Sequence, residues 1–430
     1  MEVTIEGKAY IDADFVDCCI GIEDGRISAI KKILKGDLHY KFNSKLILPA
    51  GIDIHVHFRD PGMTYKEDFS TGSLAAAFGG VSCVFDMPNT IPQTTSLQTL
   101  SNKIISADKK AYVDFGVYVG ITDSNVDNIE RLYKKCSGFK IFMGNTTNSL
   151  NLDENNLKQA FKKINSTSKP VLIHAEDITC LNMHKMWENN LIDHLRSRPA
   201  ACEENSIKSI LKTAKDCSNV RIHICHLSSF GGLDVLKNRS KNISVGVTPH
   251  HLLLSVDKNL KSQTLYKVNP PIRTSFDRDA LFEGVKNGFV DILESDHAPH
   301  TLEDKAGEFN SAPSGNPGVE TVFPLFLFLA KKGKLSFQRL VTLFCENPAN
   351  LLGVSKGKIE VGRDADFVIV DLKGKCKVNS EKLHSKCGWS LFDGWPAIFP
   401  TCVFIRGVKL IEEHEIQVKQ GFGRFVGDKT

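Results

Sequence analysis

A chain of 430 residues, 41% hydrophobic and 24% charged, has ordinary globular composition and enough length to bury a large core beside a smaller second unit, which excludes a disordered chain. Its 54 basic and 50 acidic residues leave a net charge of +4, too little for a whole-chain field that holds nucleic acid or an anionic membrane, so a small molecule is the expected partner. The first ten residues carry Glu2, Glu6 and Lys8 where a signal peptide would be apolar, and no window reaches the roughly 18 uninterrupted apolar residues of a membrane helix, so a cytoplasmic protein is expected.

From the N-terminus, short runs alternate apolar and polar residues, with Val3 and Ile5, then Ile20 and Ile22, broken by Asp24-Gly25. That pattern spells hairpins. It returns at residues 367–370, 401–405, 408–411 and 416–418. The two ends are expected to pair into one small β-sandwich unit, formed by residues 1–47 and 356–430, around a central domain at 48–355.

Within the central domain, apolar runs rich in β-branched residues recur at 52–58, 81–87, 112–119, 138–142, 170–174, 220–226, 243–247 and 290–295, each followed by a helix-like segment. Eight such runs are the count of a (β/α)8 barrel, an α/β fold, and their continuous character suits parallel strands covered on both faces. An open doubly wound sheet produces similar runs, so periodicity alone leaves both architectures open. The barrel is favoured because polar residues able to bind metal stand at the C-terminal ends of the runs, where a barrel carries its catalytic loops. The twelve cysteines are scattered without a CxxC pair and are expected to be reduced, most of them small buried hydrophobes like Cys83 and Cys345.

Asp53-Ile54-His55-Val56-His57 closes the first run. Alternate residues of a strand share a face, so His55 and His57 can chelate one ion, although two alternating histidines can also simply line a polar face. Lys140, His174, His226 and Asp296 each end a run of their own. A single histidine there is more often a satisfied core residue and a single lysine is usually solvated, but six such residues at strand ends are not explained that way.

The order His-x-His, Lys, His, His, Asp resembles the amidohydrolase superfamily, and within it the dihydroorotase family. Four motifs carry the resemblance over nearly the whole chain: His55-Val56-His57-Phe58-Arg59-Asp60-Pro61-Gly62, Asp86-Met87-Pro88-Asn89-Thr90, Asp296-His297-Ala298-Pro299-His300, and Gly362-Arg363-Asp364-Ala365-Asp366. The resemblance implies reversible hydrolysis of (S)-dihydroorotate to N-carbamoyl-L-aspartate in pyrimidine synthesis. It implies two zinc ions, one held by His55, His57, Lys140 and Asp296 and the other by Lys140, His174 and His226, with a hydroxide between them. Lys140 is then carboxylated by carbon dioxide, since an ammonium cannot ligate a cation and a carbamate can. Asp296 is implied as the general base and acid.

By the same resemblance, His57, Arg59, Asn89 and His300 bind the substrate, with Arg59 on its carboxylate, while Asn269, Ser314 and Gly315 meet the pyrimidine ring. Some relatives hold a third zinc through a cysteine and a glutamate; Cys225 is present, but Gly246 stands at the glutamate position, so no third site is expected. A bacterial branch replaces the bridging lysine, and the segment from Lys140 through Met143-Gly144-Asn145-Thr146-Thr147 is unlike it. The resemblance admits a homo-oligomer or an association with aspartate transcarbamoylase as partners. Two rivals are weighed: an allantoinase or dihydropyrimidinase, which would leave the Arg59 guanidinium unpaired, and a non-catalytic scaffold of the same fold, which would have lost metal ligands.

Overall fold

Eight parallel strands follow one another in chain order around the central part of the protein: Gly51–Val56, Val81–Asp86, Asp114–Gly120, Gly138–Phe142, Val171–His174, Ile222–Ile224, Ile243–Val247 and Ile292–Leu293. The computed structural model describes residues 1–144, 150–258 and 260–427, so Asn145, Thr146 and Thr147 of the segment behind Lys140 lie outside the described residues. The sheet curls until its edges meet: Val56 bridges His297, and the His57 N–H donates to the His297 carbonyl at 2.7 Å. Helices such as Phe69–Phe78, Glu154–Ile164, Ala200–Ala214 and Val322–Lys331 connect and cover the strands, giving the expected (β/α)8 barrel. Cover on both faces explains the unbroken apolar runs, since all seven residues of Asp114–Gly120 are buried.

Two strands span less than half of their apolar runs. The sixth stops at Ile224 and the eighth at Leu293, ahead of His226 and Asp296, whose φ of 37° and 47° no pleated strand can accommodate. The backbone leaves the sheet where the polar residues begin.

The chain ends build a second eight-stranded sheet. Its order is Glu415–Ile416, Val408–Glu412, Cys402–Ile405, Phe367–Val370, Leu38–Pro49, Val3–Ile11, Asp14–Glu23 and Arg26–Lys31. Asp24 and Gly25 turn the last hairpin with φ of 49° and 74°, the left-handed pair that a two-residue loop between twisted strands requires. Ile5, Ile20, Ile47, Phe367 and Phe404 fill the apolar face of this sheet. Among the described residues no helix is long and apolar enough to cross a membrane.

One expectation is corrected. Cys180 and Cys202 are joined as a disulfide, with Cα atoms 5.3 Å apart. The Asp177 N–H donates to the Cys202 carbonyl at 2.9 Å and so draws the Ile178–Met183 helix onto the start of Ala200–Ala214. A separation of 22 residues carries no motif that would reveal the pair.

The two sheets are tied by a buried cation. Lys356 Nζ lies 2.7 Å from Asp114 Oδ2 at the start of the third barrel strand, and 3.0 and 2.8 Å from Asp364 and Asp366 of the Gly-Arg-Asp-Ala-Asp motif. Arg406 also pairs with Asp114. Burial raises the Asp114 carboxyl, but Lys356 and Arg406 outweigh it and hold the group below its ordinary range. Lys356→Met removes one cation from three carboxylates and is expected to cost about 3–5 kcal/mol of stability. A chemical-denaturation midpoint equal to wild type would show that the cluster does not join the sheets energetically.

Candidate active site

His55 and His57 project side by side from the end of the first strand, ring centroids 5.2 Å apart, and both Nε2 atoms face one oxygen of Asp296, at 3.4 and 3.2 Å. The Nδ1 partners settle where the protons are. His57 Nδ1 lies 2.6 Å from Asn89 Oδ1, and His55 Nδ1 lies 3.2 Å from Glu294 Oε2. Both partners are acceptors, so both imidazoles carry their hydrogen on Nδ1 and present bare Nε2 lone pairs to the Asp296 carboxylate. Burial pushes His55 down to about 4, with the Lys140 charge adding to it, and burial lowers His57 too, so both rings are neutral. Three buried lone pairs converging on one point repel unless a cation lies among them. The residues therefore fit a metal ion.

Beside them stand His174, from the end of the fifth strand, and His226. His174 Nδ1 is 3.1 Å from His226 Nε2. His174 Nε2 lies 2.8 Å from Glu176 Oε2, which makes that nitrogen the donor and leaves Nδ1 bare. Glu176 is itself paired with Arg198; burial opposes its ionisation, but Arg198 and His174 hold it well below the usual carboxylate range. Lys140 is fully buried between these pairs, its Nζ 3.2 Å from Cys225 Sγ, and among the described residues no carboxylate lies within ion-pair distance of it.

The backbone holds this arrangement through buried acids. Asp53 Oδ1 accepts from the His55 N–H at 3.1 Å and the Ser295 N–H at 3.2 Å, fastening the first strand to the segment that carries Asp296. Asp86 Oδ1 accepts the Phe58 N–H at 2.7 Å and its carboxylate pairs with Lys103. Arg59, His226 and Asp296 all sit at positive φ, a clustering of strained backbone at one locus.

A cleft opens over the histidines, and Arg59, Asn89, Asn269, Ser314 and Gly315 line its other side. Burial pulls the Arg59 guanidinium down to about 10, so it stays charged at neutral pH. Arg59 Nη2 reaches to 3.2 Å from His300 Nε2, and that nitrogen is 3.1 Å from the Ser314 carbonyl. Ser314 Oγ donates to Asn269 Oδ1 at 3.2 Å. Gly315 has φ of 138°, and a Cβ there would lie 2.5 Å from the Ala298 carbonyl oxygen. Its N–H is already given to the Lys267 carbonyl at 2.9 Å, so what Gly315 provides is room, not a donor.

Two carboxylates escaped the sequence reading. Glu176 follows His174 by two residues and Glu294 precedes Asp296 by two, the same alternation that marked His55 and His57. Glu294 also revises the account of Gly246. A Cβ on Gly246 would lie 2.5 Å from Glu294 Oε1 and 2.6 Å from His223 Nε2, so the carboxylate missing from the seventh strand is supplied by the end of the eighth. It accepts the His226 N–H and groups with His55 and Cys225 at distances a metal could span.

Glu294→Ala is expected to weaken metal retention about 10- to 100-fold, the usual effect of losing a carboxylate that orients a ligand histidine. Gly246→Glu alone overcrowds the same space, whereas Gly246→Glu with Glu294→Ala returns a carboxylate to it and should recover part of the loss. Dialysis against a chelator followed by metal analysis reads the series, and wild-type retention in Glu294→Ala would remove the orienting role.

The amidohydrolase family model matches residues 46–409. A dihydroorotase of Methanosarcina mazei is 38% identical over 98% of this chain and 96% of its own length, and one of Thermoplasma acidophilum is 39% identical over 99% and 98%. Among solved structures, the L-hydantoinase (dihydropyrimidinase) of Arthrobacter aurescens superposes with a TM-score of 0.94 at 28% identity, covering 99% of both chains. The dihydropyrimidinase of Brevibacillus agri, at 24% identity and a TM-score of 0.91, shares the fold. With a barrel of this topology and a cleft of this composition, the chain belongs to the amidohydrolase family, on its dihydroorotase branch.

Proposed function

We propose that this chain hydrolyses (S)-dihydroorotate reversibly to N-carbamoyl-L-aspartate, the ring-opening reaction of pyrimidine synthesis, as a cytoplasmic enzyme with zinc at two adjacent positions. The observation that carries the reading is the meeting of Arg59 Nη2 and His300 Nε2, 3.2 Å apart at the rim of the histidine cleft. A charged donor aimed at a buried imidazole nitrogen calls for an anion beside it, and a ligand carboxylate supplies one through bidentate, charge-assisted bonds. Hydantoin, allantoin and dihydrouracil lack that carboxylate. The fold likeness to a hydantoinase supports cyclic-amide hydrolysis in general, and the Arg59 fork favours dihydroorotate within it.

In this reading His55, His57 and Asp296 would hold one zinc, His174 and His226 the other, and Lys140, as a carbamate, would supply an oxygen ligand to each. The support for the carbamate is Lys140's own position, a buried amine with no acid counterion among the described residues, whose charge bears on His55, His174 and His226. When bound, the zinc ions lower the pKa of water and polarise the amide carbonyl. Asp296 takes the proton of the attacking water and delivers it to the leaving ring nitrogen. Its Oδ1 faces the histidines, which leaves Oδ2 for the proton. Asn89 fixes the His57 ring through Nδ1, Arg59 and His300 hold the carboxylate, and Asn269, Ser314 and Gly315 shape the wall against the pyrimidine ring. The division of the chain at residues 47 and 355 belongs to the same reading, supported by the two separate sheets. So do a small-molecule partner and either self-association or association with aspartate transcarbamoylase.

Turnover of dihydroorotate against dihydrouracil, hydantoin and allantoin, with zinc measured per chain, tests the reading directly. Arg59→Met keeps the stem and removes the fork, so kcat/KM for dihydroorotate should fall roughly 30-fold to several thousand-fold at unchanged zinc content. Equal wild-type rates on dihydrouracil and dihydroorotate would refute the assignment. Lys140→Ala should abolish turnover and metal bridging, with partial recovery on adding short carboxylic acids. An intact mass lacking the added carbon dioxide, in fully metallated protein, would exclude the carbamate.

A further inference from the structure

Lys66 lies in the loop between the first barrel strand and the Phe69–Phe78 helix, and its side chain is buried. Its Nζ is 3.0 Å from His300 Nδ1 and 3.2 Å from Asp304 Oδ2. Asp304 itself is 3.8 Å from that imidazole nitrogen, beyond hydrogen-bond reach, so the partner of Nδ1 is the amine. An ammonium has three donors and no acceptor. In this contact Lys66 can only give, and His300 Nδ1 can only receive.

A neutral imidazole has a single N–H. Burial, and then the charges of Arg59 and Lys66, press His300 far below the ordinary histidine range, so the ring is neutral. With Nδ1 accepting, the hydrogen stands on Nε2, where the Ser314 carbonyl receives it at 3.1 Å and Arg59 Nη2 stands 3.2 Å away. In the opposite tautomer Nε2 would be a lone pair accepting from Arg59. The guanidinium would then be satisfied from within the protein, and one donor to an incoming anion would be lost. The ring is also held from behind, the Trp389 Nε1–H donating to the His300 carbonyl at 2.8 Å.

We propose that Lys66 is a positioning residue for substrate selection: it fixes His300 as the Nε2–H tautomer, whose hydrogen the Ser314 carbonyl receives, so that Nε2 cannot accept from Arg59 and the guanidinium keeps its donors for a substrate carboxylate. The assignment rests on the dihydroorotase reading only in naming that carboxylate; the tautomer itself is a property of the free enzyme.

The test uses the full-length zinc-loaded enzyme with nitrogen-labelled histidine, in which two-bond proton–nitrogen correlations report which ring nitrogen bears the hydrogen, and His300→Asn identifies the signals. Wild type should show His300 protonated on Nε2. Lys66→Met should move the hydrogen to Nδ1 and raise KM for dihydroorotate about 10- to 100-fold, the effect of one charge-assisted bond, while kcat changes by less than about threefold. Lys66→Arg keeps a donor and should restore the Nε2–H signal and most of the affinity. A wild-type ring protonated on Nδ1, or a Lys66→Met enzyme with the original tautomer, overturns the proposal even if KM has risen. Wild-type protein that carries the Nε2–H tautomer but does not turn over dihydroorotate would instead reject the functional reading and leave the Lys66 assignment standing.

Discussion

The structure depends on the convergence of unshared electron pairs at the bottom of the barrel mouth. His55 Nε2, His57 Nε2 and an Asp296 oxygen meet within 3.2 to 3.4 Å, buried, with no hydrogen left to place between them. Such a point is repulsive in a low-dielectric interior until a cation fills it. The surrounding chemistry serves to keep it so. Asn89 and Glu294 take the Nδ1 hydrogens, burial keeps the rings neutral, and Asp53 locks the strand bearing the histidines to the segment bearing the carboxylate.

A second demand of opposite sign sits a few residues away. Arg59 lines the far wall, and of the buried lysines near it Lys66 is paired with Asp304 and Lys267 with Glu188, while burial together with Lys267 and Arg59 drives the Lys305 amine down to about 7. The cleft therefore calls for a cation on one side and an anion on the other. A ligand that answers both must carry an electron-rich carbonyl and a negative group at a fixed separation, which is a stricter requirement than either wall imposes alone. The two demands are thus made by different sets of side chains.

The barrel was legible because each strand is buried on both faces and so reads as one apolar run; the His-x-His pair was legible because both residues belong to one strand. What escaped depends on neighbours distant in sequence. Glu294 matters only because Gly246 on the adjacent strand leaves room for it, and a residue that works through an empty space has no motif of its own. Lys66 reaches His300 across more than 200 residues of chain. The Cys180–Cys202 bond arises from the docking of one helix on another, which no spacing encodes. The loop residues Asn269, Ser314 and Gly315 do line the cleft, but the sequence could not say that the Gly315 N–H is already engaged.

The strand Leu38–Pro49 is sandwiched between a neighbour from the N-terminus, Val3–Ile11, and one from the far end of the chain, Phe367–Val370. On a ribosome the first pairing forms early, whereas the second waits for roughly 300 more residues, which at about 5–20 residues per second is on the order of 15 to 60 s. Throughout that interval Leu46, Ile47 and Leu48 offer an unpaired apolar edge, the kind of surface on which strands of other nascent chains can add. The barrel is meanwhile being completed beside it. A growing polypeptide of this design has a built-in window of vulnerability, and its yield in the cell should respond to translation speed and chaperone supply more than the stability of the finished enzyme would suggest.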